Sequence, residues 1–487
     1  MSRKSAALAI NLAFLCGNAF SQDAKTVIEN ARKALGNVQS ITYSGSAKDV
    51  AFQQCGANAT DMICKGTHDP MRPINNYVRV IDLNAPASRH TGTTNNIGPG
   101  GSTTVSPGVF FQQVTPQQAD LSQPWMGSLE FYITPWGFLK GAAASNATVS
   151  HRKVDGKSYT VLSWSPAVKA PSGKSYTING YINGQNLIER VETWVGENIM
   201  GDMHVVATYT GWKDFGGAMA PSEIVQTRGG WPFFGVTVTA AKANPPDLAT
   251  LAPAPPARGP AGPPAPGPLT VTSEKLGEGL YRLTTGPGSY DSVIVEFKDY
   301  VMMLEAGQSE ARGLAYIAET KKLFPSKPIR YVMNTHPHSD HTGGLPALAA
   351  EGAIIITQKN NQVFLERALN TPRTLLNDSL AKNPRKVKVE TVEEKKVYSD
   401  GARVVEMYHV YPAPHSNGLI IAYIPKEKIL FQGDFSVNPG EPANDHVRAL
   451  VPVLAKLNLD YDRYINVHTS AAPQSKADVA KAMAMVK

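Results

Sequence analysis

Cysteine is scarce: three residues in a chain of 487. Cys16 lies in an N-terminal apolar segment, and Cys55 and Cys64 sit nine positions apart in a loop-like stretch. At most one small disulfide, Cys55–Cys64, is expected, and only in an oxidising compartment. Charge is also sparse, at 18% of residues, and the formal net charge of +7 is mild for this length. The densest basic patch is Arg385-Lys386-Val387-Lys388. A solvated loop or strand edge accounts for it better than a nucleic-acid footprint, so no nucleic-acid partner is expected. Beyond the N-terminus no apolar run is long enough to span a bilayer as a helix.

The N-terminus itself carries an address. Arg3 and Lys4 precede the apolar stretch Ala6–Leu15, and Ala19 and Ser21 follow at the spacing a signal peptidase favours. Residues 1–21 are therefore predicted to be a secretory signal, with the periplasm as destination. An uncleaved anchor is the alternative. Leu15 stands where a lipoprotein signal needs a small residue, which argues against lipidation of Cys16.

Apolar residues make up 42% of the chain, a globular proportion, and 487 residues exceed one ordinary core. The boundary is visible. Ten of the 24 residues from Pro245 to Pro268 are proline. Proline fixes φ and removes a backbone donor, so this segment predicts an extended linker. Before it, residues 23–244 predict a β-rich α+β domain. Val27, Ile28, Ala31, Ala34 and Leu35 recur at helical spacing after Asp23. Asn183-Gly184 between Tyr176–Ile182 and Leu187–Val195 predicts a hairpin in which Gly supplies positive φ. Val205–Tyr209 and Gly235–Ala240 continue the strand pattern. The Gly/Asn/Thr-rich stretch Thr91–Thr104 predicts loop. The helix-then-meander order resembles periplasmic lipoprotein-carrier domains.

After the linker, residues 270–487 alternate strands and helices. Strands are expected at Leu280–Thr284, Ser292–Phe297, Tyr300–Leu304, Ile329–Asn334, Ala353–Thr357, Val404–Tyr411, Leu419–Ile424, Ile429–Gln432 and Tyr464–Val467. Helices are expected at Ala311–Leu323, from Gly344 to Ala350, and at Val447–Leu457. The pattern predicts two packed sheets covered by helices.

The chemistry concentrates in Asn334-Thr335-His336-Pro337-His338-Ser339-Asp340-His341-Thr342-Gly343-Gly344. Three histidines and an aspartate within six residues are a metal-ligand set. Imidazole and carboxylate suit Zn²⁺. In an extended segment His336 and His338 point the same way, and a turn aims Asp340 and His341 at a neighbouring point.

These residues match the HxHxDH signature of the metallo-β-lactamase superfamily, and the chain after the linker resembles that family in its later landmarks too. His415 follows a strand in Pro414-His415-Ser416-Asn417-Gly418, Asp434 ends Leu430-Phe431-Gln432-Gly433-Asp434, and His468 ends Asn466-Val467-His468. The resemblance implies an α/β fold of the αββα kind. It also implies two zinc ions, one held by His336, His338 and His415, the other by Asp340, His341 and His468, with Asp434 between them and Asp340 also orienting the attacking water. One departure is that Thr469-Ser470 follow His468 where the family commonly has Gly. His468 is thus the weakest assignment, with Asp462 as the nearest substitute. His409 reads as a packed or supporting residue, and His446 as a cap or pocket wall.

The implied reaction is hydrolysis of an ester, lactone, thioester or amide in a small-molecule substrate by metal-activated water. His338, where iron-binding members carry Glu, favours zinc over redox chemistry. Asp434, where zinc β-lactamases usually carry Cys or Ser, favours a general hydrolase. β-Lactam and sulfate-ester hydrolysis remain alternatives. A lipid- or lipoprotein-binding protein with a vestigial metal site is the alternative from another class.

Overall fold

In a computed structural model the described residues are 23–50, 71–97, 105–248, 269–286, 290–413, 415–438, 440–468 and 472–486. The expected signal segment, the Cys55–Cys64 pair and linker residues 249–268 lie outside them.

Helix α1 (Ala24–Ala34) forms on the predicted periodicity and buries Val27, Ile28 and Ala31. The Asp23 carboxylate caps it by accepting the Thr26 N–H at 2.7 Å. Four strands follow: β1 (Ser40–Asp49), β2 (Arg72–Asp82), β3 (Ala87–Ile97) and β4 (Val105–Val114). Five more are β5 (Thr148–Val154), β6 (Lys157–Trp164), β7 (Ile178–Ile182), β8 (Ile188–Glu197) and β9 (Gly201–Thr210). A short ribbon, β10 (Lys213–Asp214) with β11 (Met219–Ala220), precedes β12 (Glu223–Arg228) and β13 (Trp231–Ala243). All but the ribbon join one eleven-stranded sheet in the order β4-β3-β2-β1-β13-β12-β9-β8-β7-β6-β5. Helices α2 (Trp125–Tyr132) and α3 (Pro135–Ala144) share its apolar core. The sequence does not announce them, because they are apolar nearly all round and lack a polar stripe. In α3, Trp136, Phe138, Leu139 and Ala142 are all buried.

Two local expectations are corrected. Thr91–Ile97 is strand, not loop; the rest of that stretch up to residue 104 lies outside the described residues. Pairing with β4, Thr91 against Phe111 and Thr93 against Val109, overrides its weak strand propensity. Gly92 is needed there, since a Cβ would stand 2.4 Å from Ile74 Cγ2. The β7–β8 hairpin exists, but Asn186, at φ 62°, takes the left-handed conformation rather than Gly184. The Asn183 side chain accepts the N–H groups of Gln185 and Leu187, so the turn is longer than two residues.

The C-terminal part is built from two sheets. The first runs β14 (Thr272–Gly277), β15 (Leu280–Thr284), β16 (Ser292–Glu296), β17 (Val301–Leu304), β18 (Ile329–Met333), β19 (Ile354–Gln358) and β20 (Val389–Val392), in that order. The second runs β21 (Lys395–Ser399), β22 (Val404–His409), β23 (Ile420–Ile424), β24 (Ile429–Gln432), β25 (Arg463–Asn466) and β26 (Gln474–Ser475). Strand alternation sorts the side chains into layers. Val293, Val295, Met302 and Leu304 meet Ile420, Ala422, Ile429 and Phe431 between the sheets. Ile294 and Met303 face the other way, with Tyr316 and Ile317 of α4 (Glu310–Leu323). Beyond the second sheet, Ile421 and Leu430 pack with Val447 and Leu450 of the helix Asp445–Leu457. The layering is helix, sheet, sheet, helix, which is the αββα fold. No helix among the described residues is long and apolar enough to cross a membrane.

The two parts pack against each other. Trp231 of β13 meets Phe364 edge-on, with ring centroids 5.6 Å apart, and the Arg367 guanidinium lies 4.3 Å over the Trp231 ring.

Candidate metal centre

The site forms where strands of both sheets run out. Beyond β18, residues 334–338 lead into the short helix α5 (Ser339–Thr342), which carries Asp340 and His341. His415 lies between β22 and β23, Asp434 two residues past β24, and His468 two residues past β25. The local path depends on glycine. A Cβ on Gly343 would stand 1.9 Å from the Gln308 carbonyl oxygen, so no other residue lets the chain pass there. The Asn334 side chain donates to the carbonyls of His336 and His341, at 2.8 and 3.0 Å, and closes the loop on itself.

All seven residues singled out in the sequence come together. Donor atoms of His336, His338, His415 and Asp434 form one group, and those of Asp340, His341 and His468 another, each within 4.8 Å. The Asp434 carboxylate stands between them. It lies 2.8 Å from His415 Nε2, 2.8 Å from His341 Nε2 and 2.9 Å from His468 Nε2. His336 Nε2 faces His415 Nε2 at 2.9 Å, and His341 Nε2 faces His468 Nε2 at 3.0 Å. Facing nitrogens can share only one proton, whereas a cation between them engages both lone pairs. By donor type and convergence this set fits a metal ion.

Two tautomers follow from two residues, Glu305 and Thr335, that spacing gave no reason to select as functional. Glu305, fully buried, accepts from His341 Nδ1 at 3.1 Å and from the Thr335 hydroxyl at 2.5 Å. The Thr335 oxygen lies 3.1 Å from His336 Nδ1. The donor order that satisfies them all runs His336 Nδ1–H to Thr335 Oγ, and Thr335 O–H to Glu305. Both imidazoles then present Nε2 to the site. Beside them stands Tyr290, whose ring centroid is 4.7 Å from that of His468; burial, then the Asp340 and Asp434 charges, raise its hydroxyl above the usual tyrosine range. The one sequence signal for Glu305 is a lone carboxylate that ends the apolar strand β17, ahead of Ala306-Gly307.

The other candidates fall into supporting or remote positions. His409 Nε2 bonds the Asn417 carbonyl at 2.9 Å and so steadies the loop of His415. The His446 ring lies 4.9 Å from that of His415 and walls the site; the cap of its helix is Asn444. Asp462 is exposed beside Lys428, outside both groups. His468 occupies the place for which Asp462 was the substitute. Thr469 and Ser470 lie outside the described residues.

Burial, followed by the neighbouring imidazoles of His341 and His338, holds His336 well below the usual histidine range. Its ring is neutral, with a lone pair to give. His341 goes the other way. Burial opposes its charge, but Asp434 and Glu305 outweigh that and raise it well above its ordinary value. Asp434 is lowered well below the carboxylate range, because His341, His415 and His336 outweigh its burial.

Residues 285–479 match the model of the metallo-beta-lactamase superfamily. The C-terminal part is a metallo-β-lactamase superfamily domain. Members of this superfamily are mostly hydrolases, and its fold implies metal ions. Among curated proteins, the 2,4-dinitroanisole O-demethylase subunit alpha of Nocardioides sp. (strain JS1661) is 26% identical over 205 residues, 41% of this chain. The match spans 58% of that relative's length, less than two thirds. Among solved structures, the metallo-beta-lactamase from Pontibacter korlensis is 16% identical, with a TM-score of 0.34, covering 44% of this chain and 98% of its own. That of Hirschia baltica is 22% identical, with a TM-score of 0.32, covering 44% and 95%.

Proposed function

We propose that this protein is an exported hydrolase that works with two zinc ions and cleaves an acyl bond (ester, lactone, thioester or amide) in a small molecule. The observation that carries the reading is the convergence of seven imidazole and carboxylate side chains, Asp434 among them, at the strand ends. His336, His338 and His415 would hold one ion, Asp340, His341 and His468 the other, and Asp434 both. A bound pair of divalent cations supplies a water acidic enough to attack at neutral pH and a Lewis acid for the oxygen that gains charge. Glu305 and Thr335 keep His336 and His341 in the ligating tautomer. Asp340, only partly buried and close to Tyr290, would orient the attacking water and hold its proton. Zinc is preferred to iron in this reading because position 338 is His, where iron-binding members of the family carry Glu. Export rests on the Arg3-Lys4 and Ala6–Leu15 pattern.

Metal analysis of purified protein, joined to a panel of chromogenic substrates, tests this. The panel holds an ester, a lactone, a thioester, a cephalosporin and a sulfate ester. An aryl methyl ether joins it because of the relative's name. About two zinc ions per chain are expected, with acyl hydrolysis lost on chelation and restored by Zn²⁺. Less than one metal per chain, with full activity after chelation, defeats the proposal. Cephalosporin turnover faster than the rest, and absent in His336→Ala, would move the substrate to β-lactams.

A pH dependence follows from the opposite shifts of His336 and His341. In the metal-free protein His341 carries a proton near neutral pH, because its affinity for one is raised. An ion entering between Asp340, His341 and His468 must displace that proton, whereas His336 has none to lose. Affinity for the second ion should therefore rise with pH through neutrality, and affinity for the first should change less. Calorimetry in buffers of different ionisation enthalpy should read proton release on the second binding step. Release confined to the first step would contradict the assignment.

A further inference from the structure

The N-terminal part reaches the metal-binding segment through the turn between β8 and β9. There the Asn198 side chain donates to the Gly343 carbonyl at 2.8 Å. Gly343 lies two residues past His341, at the end of α5, and is buried. Helix ends leave carbonyls without partners, and a buried one is costly to leave unpaired. Here the partner comes from 145 residues earlier in the chain.

The turn that carries Asn198 is held firmly. The Glu197 carboxylate accepts the N–H groups of Ile199 and Met200, at 2.9 and 2.7 Å. The Arg373 guanidinium grips the Asn198 and Ile199 carbonyls and is itself paired with Asp378. Asp202 accepts from the backbone of Thr374 and Leu375, both at 2.9 Å, and its own N–H donates to the Pro372 carbonyl at 2.7 Å. Gly201 has no room for a Cβ, which would stand 2.6 Å from the Pro372 oxygen. An interlock this dense fixes where the Asn198 amide points.

We propose that Asn198 is a positioning residue for the metal centre, and that the β8–β9 turn is a prop on which the Asp340–His341 segment depends. The inference rests on the two-ion reading above. The group holding Asp340 and His341 feels the prop directly. His336 and His415 bond Thr335, Asp434 and each other, at a distance along the chain from Gly343, and that group should feel it less.

The test is metal titration of the full chain with Co²⁺, followed through its visible bands, in wild type, Asn198→Ala and Asn198→Asp. Outer contacts to ligands typically tune metal affinity by about 10–100-fold. A loss of about tenfold in affinity for the second ion is expected in Asn198→Ala, with a change in its bands and the first ion held within about twofold. Asn198→Asp keeps the shape but sets an acceptor against the Gly343 carbonyl, so it should do at least as badly. A packing role alone would leave Asn198→Asp close to wild type. Wild type binding two ions, with both variants binding them equally well, overturns this inference and spares the two-ion reading. Equal weakening of both ions with a lowered melting temperature also overturns it, by showing general loosening. Wild type that binds no metal removes both readings together.

Discussion

Asp434→Ala should fold and yet lose about three orders of magnitude in kcat/KM, equivalent to about 4 kcal/mol of transition-state stabilisation. The size follows from how many groups this carboxylate serves. It touches His341, His415 and His468 within 2.9 Å and lies 3.8 Å from His336. It belongs to the group of His336, His338 and His415 and also contacts His341 and His468 of the other group. Without it, four imidazoles from three strand ends face one another without the carboxylate that now stands between them. On the two-ion reading proposed above, each ion would lose a ligand, and the pair would lose the charge that screens their repulsion. Metal analysis should find the variant depleted in both ions, not in one. Asp462→Ala is the control. Its exposed carboxylate pairs with Lys428 at the surface, and pairs of that kind contribute about 0–1 kcal/mol. Asp434→Ala with normal metal content and activity within tenfold of wild type would remove Asp434 from the centre of the mechanism.

Much of the C-terminal fold can be read directly, for a reason the layering makes plain. β16, β17, β23 and β24 are buried on both faces, so each is a short unbroken apolar run rather than an alternating one. Runs such as Ile429–Gln432 stand out between Lys428 and Gly433. The candidate metal ligands are legible because six neighbouring residues carry four of them. His415, Asp434 and His468 are legible because each follows an apolar strand. Glu305 has no such mark. Its partners Thr335 and His341 lie 30 and 36 residues away, and only the parallel pairing of β17 with β18 brings them together. Asn198 is hidden more deeply, in a turn of a different sheet. α2 and α3 are silent for the opposite reason: too much apolar residue, spread over every face.

Glu305 also sets up a comparison that separates ligand orientation from stability. Its backbone is left-handed, at φ 75°, where a residue with a Cβ is strained by about 1–2 kcal/mol and glycine is not. Its carboxylate is fully buried and holds Thr335 and His341. Glu305→Ala keeps the strain and strands both donors, and should cost about 3 kcal/mol in stability. Glu305→Gly strands the same donors but relaxes the backbone, so it should unfold about 1 kcal/mol less easily than Glu305→Ala. The two variants should nevertheless lose metal alike. With no carboxylate at Nδ1, His341 is free to turn and to change tautomer, and affinity for the ion it shares with Asp340 and His468 should fall by about 10–100-fold. Thermal unfolding of the metal-free proteins reads the first effect, and zinc titration reads the second. Metal affinity that tracks the melting temperature across the pair would mean that Glu305 acts by holding the fold together. Equal metal loss at unequal stability is the expected result, and it would mean that Glu305 holds the imidazole.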